Sequence, residues 1–169
     1  MTPAEQLRRL ICRSIAVIII AVAAITYGAG HSQAHAAVTH AAAISATTSH
    51  GARALAYAEA HYTGCWYSWG GESCQPGFDC SGLVVKSVWQ ADHILLPRTT
   101  YEMLSSRLLY QISGSVARPG DLVFYGTGHV EILVNGPAHL SFGALESGTR
   151  VGVHHWNRWW HPTLAFRIR

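Results

Sequence analysis

The sequence predicts an α+β fold with helices packed on one face of an antiparallel sheet. Apolar residues recur at helical spacing in 52–62 and 79–92, whereas the segments after residue 121 are short apolar runs separated by Gly, Pro or Asn. Helices come first and strands follow, an order that segregates the two classes instead of alternating them. A length of 169 residues fits one domain behind a leader.

Arg8, Arg9 and Arg13 precede the apolar run "SIAVIIIAVAAITYGAG" at 14–30, and "AHA" at 34–36 fits a small-x-small cleavage rule. Residues 1–36 are therefore expected to be a secretory signal peptide, cut after Ala36, and the membrane is met only through this segment before cleavage. A retained anchor is the rival reading, because the run approaches spanning length. Residues 37–50 read as a flexible linker and 51–169 as the folded domain. From residue 37 onward nine Lys+Arg face eight Asp+Glu, a net charge of +1, which gives no electrostatic case for a nucleic-acid partner.

Along the domain, "ARALAYAEAHY" (52–62) is rich in helix formers and ends at Gly64. The segment 65–78 is a loop punctuated by Gly70, Gly71, Pro76 and Gly77. "DCSGLVVKSVWQAD" (79–92) reads as a helix with Asp79 as N-cap and Leu83, Val84, Val88 and Trp89 as its buried stripe. Residues 95–112 combine a turn at Pro97 with a short helix, and "RPGD" (118–121) is a turn. Strands are expected at 122–126, 129–134, 139–144, 149–156 and 164–169.

Export would place the chain where disulfides form, and the mature part holds three cysteines, Cys65, Cys74 and Cys80. An odd number leaves one unpaired within the chain. Cys80 stands at a helix start, where free N–H groups and the helix dipole favour a thiolate and could also hold an oxyanion. Pairing of Cys80 with Cys65 or Cys74 is the competing reading. A nucleophilic thiol needs a base, and His129 opens a strand beside a glycine turn, sharing a face with Glu131 and Leu133.

"YSWGGESCQPGFDCSGLV" (67–84), "LPRTT" (96–100) and "RPGDLVFYGTGHVEILV" (118–134) occur in an order that resembles the NlpC/P60 cell-wall peptidases. The resemblance covers most of residues 52–169. It implies a papain-like α+β fold with Cys80 as nucleophile, His129 as general base and Tyr67 near the nucleophile as an oxyanion donor. It also implies a secreted, cell-wall-associated hydrolase of peptidoglycan stem peptides, often at the bond between D-γ-glutamate and a diamino acid. No metal or organic cofactor is implied. His154, His155 and His161 form no metal set, because adjacent strand residues face opposite ways. The protein is expected to act as a monomer.

Two departures from the pattern stand out. Cys65 and Cys74 flank "WYSWGGES" and are not part of it; a Cys65–Cys74 disulfide would close a short loop and leave Cys80 free. The family also has a polar residue, often His, on the strand after the base. Here that strand is "HLSFGA", which offers His139, Ser141 or Gly143 according to alignment. His139 has the best chemistry and is the expected third catalytic residue. Glu131 is an alternative for that role or a substrate contact. Asp79 and Ser81 are expected to shape the substrate approach, and Arg98 to pair with a substrate carboxylate or with an acidic residue of the protein.

Overall fold

The computed structural model describes residues 48–169; the expected signal peptide and the linker up to residue 47 lie outside the described residues. Helix α1 (His50–Tyr62) starts inside the segment read as linker, because the Ser49 hydroxyl accepts the Ala52 N–H and caps it. Its buried residues, Gly51, Ala54, Leu55, Ala58 and Tyr62, follow the i, i+3, i+4 pattern of one helix face. Helix α2 (Cys80–Asp92) is capped by Asp79 as expected and packs along α1. His50 and Arg53 both reach Asp92, which fastens the start of α1 to the end of α2.

The buried face of α2 carries Leu83, Val84, Ser87 and Val88, whereas Trp89 is exposed. This corrects the expected stripe. Ser87 can take a buried place because its hydroxyl donates to the Leu83 carbonyl at 2.6 Å. Between the helices, a two-stranded ribbon of β1 (Glu72–Ser73) and β2 (Gly77–Phe78) lies in what the sequence showed only as loop.

Helix α3 (Thr100–Leu104) is a single turn fixed by a capping box between Thr99 and Glu102. It is followed by β3 (Leu109–Ile112), which was not expected, and then by β4 (Leu122–Tyr125), β5 (His129–Asn135), β6 (Leu140–Gly143), β7 (Gly152–His155) and β8 (Leu164–Ile168). The sheet order is β3-β8-β4-β5-β6-β7, antiparallel throughout. The sheet residues Phe124, Val130, Ile132, Phe142 and Phe166 close one core with Leu55, Leu83, Val84 and Val88. Each such side chain contributes about 1.5–3 kcal/mol on burial. Val123, Leu133 and Ala165 form a second cluster on the other face. Where α1 meets the turn before β4, the backbones of Gly51 and Gly120 touch so closely that a Cβ on either would overlap the other.

Candidate active site

A cleft of about 370 Å³ opens at the start of α2, with Cys80, Trp69 and Gly128 among its walls. Cys80 is the first helical residue, is buried and is the free cysteine of the described residues. Cys65 and Cys74 are joined by a disulfide, the pairing expected from their position around the loop. That loop carries Tyr67 and the exposed Trp69. Tyr67 forms a parallel bridge with Phe78, two residues before Cys80. Burial, together with the nearby Cys80 and Asp79, raises the Tyr67 pKa, so its phenol stays a donor at neutral pH.

Asp79 gathers a set of donors under the cleft. Its Oδ1 accepts from the Gly82 N–H at 2.6 Å and from Arg98 Nη1 at 3.0 Å. Its Oδ2 accepts from Arg98 Nη2 at 2.7 Å and from the Gly70 N–H at 3.0 Å. Ser81 donates to Asp79 and accepts from Arg98, and Arg98 Nε pairs with Glu72. Of the two partners considered for Arg98, the structure thus provides the acids of the protein itself. Asp79, Ser81 and Arg98 form one interlocked cluster that ties the Trp69–Gly70 loop to the start of α2.

His129 is the first residue of β5 and faces Tyr125 across the hairpin. Thr100 Oγ1 donates to the Thr127 carbonyl at 2.7 Å, holding the hairpin turn against α3. His129 Nε2 is turned to Glu131 Oε1, 3.6 Å away, an ion-pair separation too long for a hydrogen bond. Burial works against charge on the imidazole, yet the hydrogen bond to Cys80 and the attraction of Glu131 outweigh it and raise the His129 pKa to about 9.

Glu131 is fully buried, so it is not the substrate contact entertained from the sequence. Its Oε2 accepts from Tyr125 Oη at 3.0 Å and from the Ser141 hydroxyl. Trp160 stacks on Tyr125 with ring centroids 4.0 Å apart and lies 5.4 Å from His129, roofing this network. Tyr125 and Trp160 were not anticipated. The pairing of Tyr125 with His129 follows from a tight hairpin through Gly126–Gly128, but the return of Trp160 from the far end of the chain has no local signal.

His139 is not brought to this site, which corrects the expected third catalytic residue. The register pairs Asn135 with Leu140, so His139 lies beyond the far end of β5 from His129. Six residues of strand separate the two ends, roughly 20 Å. His139 sits at φ 56° in the turn and stacks on Trp156, beside a second hollow of about 690 Å³. The shortened turn needed to bring it forward is not formed, since the turn closes through the His139 N–H and the Gly136 carbonyl.

Murein DD-endopeptidase MepH of Escherichia coli (strain K12) is 46% identical over 61 residues, covering 36% of this chain and 22% of that protein. Probable endopeptidase p60 of Listeria monocytogenes is 38% identical over 116 residues, 66% of this chain and 22% of that protein. The chain thus spans about a fifth of the length of these curated relatives. The crystal structure of the NlpC/p60 domain of peptidoglycan hydrolase SagA superposes with a TM-score of 0.58 at 33% identity, covering 68% of this chain and 96% of that one. Residues 64–167 match the model of the NlpC/P60 family, and with Cys80 at its helix start and His129 on the facing strand the chain belongs to that family.

Proposed function

We propose that the chain is an exported thiol peptidase that cuts stem peptides of peptidoglycan, at the bond between D-γ-glutamate and the diamino acid. The observation that carries this reading is a free thiol at a helix start, in a cleft whose wall includes Gly128, the neighbour of the half-buried His129; the thiol also helps raise the His129 pKa. Similarity to a murein endopeptidase and to p60 endopeptidases supports the substrate class, and the apolar leader ending in "AHA" supports export with a cut after Ala36.

In this reading the Cys80 thiolate attacks the peptide carbonyl carbon while His129 holds the proton taken from the thiol. Free N–H groups at the start of α2 and the Tyr67 phenol stabilise the oxyanion. The intermediate collapses, the C–N bond breaks, and His129 gives its proton to the leaving amine. Water then loses a proton to His129, attacks the thioester and releases the acid, and the thiolate leaves with the original charge.

Digestion of purified peptidoglycan by the mature protein and by Cys80→Ala, read by mass spectrometry, tests the proposal. New amine termini from the wild type and none from the variant are expected. Retention on the wall without cleavage would make the protein a wall-binding module, and equal release by both proteins would remove Cys80 from the chemistry.

A further inference from the structure

His129 Nε2 and Glu131 Oε1 are both buried, face each other, and have no hydrogen-bond partner at ordinary length. Leaving two such groups unmatched is costly unless each is the other's partner in the charged, working state. The carboxylate is not loose: Tyr125 and Ser141 pin its Oε2, which leaves Oε1 directed at the imidazole.

The space that Glu131 fills belongs, by position, to the next strand. The pair Ile132–Phe142 places Gly143 across from Glu131. A Cβ at Gly143 would stand 2.5 Å from Glu131 Oε1, 2.6 Å from its Cγ and 2.8 Å from its Cδ. A side chain at 143 and the carboxylate of Glu131 therefore exclude one another.

We propose that Glu131 is the positioning residue of the site, reaching from the base's own strand into the room left by Gly143 to orient His129. The inference rests on Cys80 and His129 being the reacting pair. It has the group that orients the base move from β6 to β5, and it makes that group an anion able to hold an imidazolium. Ser141 and Tyr125 then serve to hold the anion, and Gly143 is required for its lack of a side chain.

The test follows the His129 ring by NMR in wild type, Glu131→Gln and Gly143→Ala, alongside kcat and KM on peptidoglycan fragments. Glu131→Gln should lower the His129 titration midpoint and cut kcat about 10²-fold with little change in KM. Gly143→Ala should shift both in the same direction, because its Cβ pushes on the carboxylate without removing it; it carries the test if Glu131→Gln does not fold. Glu131→Ala/Gly143→Asp, which returns a carboxylate from β6, should recover at least part of the activity lost in Glu131→Ala. An unchanged midpoint and kcat in a folded Glu131→Gln or Gly143→Ala overturns the inference. The titration needs no substrate, so it separates this failure from an error about peptidoglycan.

Discussion

Replacing Asp79 by Ala asks how much the cluster beneath the nucleophile contributes. The carboxylate is the N-cap of α2 and accepts from Gly82, Gly70, Ser81 and both terminal nitrogens of Arg98. Loss of the cap costs about 1 kcal/mol. Losing the bond from the exposed Gly70 N–H costs about 1 kcal/mol more. The Arg98 side chain is 31% exposed and keeps Glu72, so losing its main partner adds only about 1–2 kcal/mol. The expected loss is about 3–4 kcal/mol, a large part of the 5–15 kcal/mol typical of a domain. In urea at an m-value of about 1.5 kcal/mol/M the midpoint should fall by roughly 2 M. Equilibrium unfolding followed by tryptophan fluorescence measures it, with Arg98→Ala and the double variant closing a cycle. A loss under about 1 kcal/mol, or additive effects of the two substitutions, would refute the interlocked cluster.

Three further outcomes are expected. Cys65→Ser/Cys74→Ser opens a loop of sequence separation 9, and chain entropy sets the stability loss at about 2.6 kcal/mol, read by calorimetry. The His129 pKa is raised to about 9 from 6.5, so its stabilising contribution is complete below pH 6.5 and fades as pH rises through about 9; kcat/KM should decline over the same alkaline range, and a pH–rate profile with no limb there contradicts the assignment. Tyr67→Phe should lower kcat about 10²-fold if the phenol steadies the oxyanion, whereas a packing role would move the unfolding midpoint and leave kcat.

What the sequence disclosed depended on how local each signal was. Asp79 followed by an apolar helical stripe announced the start of α2, because an N-cap and a 3.6-residue period act within a few residues. The hairpin carrying His129 was equally plain, since Gly126 and Gly128 bracket the turn between two apolar runs. His139 has suitable chemistry, but its register carries it beyond the far end of β5 from His129. Strand register depends on the turn at 136–139 and on the irregularity between Leu133 and Asn135, neither of which has a period in the sequence. Glu131 was visible as a residue on the right face, but its fit into the space of Gly143 is a fact about two strands at once.

The backbone contact of Gly51 with Gly120 sets the edge of the folding unit apart from the edge of family similarity. The match begins at residue 64, yet α1 supplies Ala54, Leu55, Ala58 and Tyr62 to the core and closes over the turn at Gly120. A fragment trimmed to the matched region would bare that apolar face and aggregate before its chemistry could be assayed. Proteolysis ahead of Ser49 would leave the cap of α1 whole, whereas one nick inside α1 would unseat it. The N-terminal edge of the folded unit is thus set by the Ser49 cap, thirteen residues beyond Ala36.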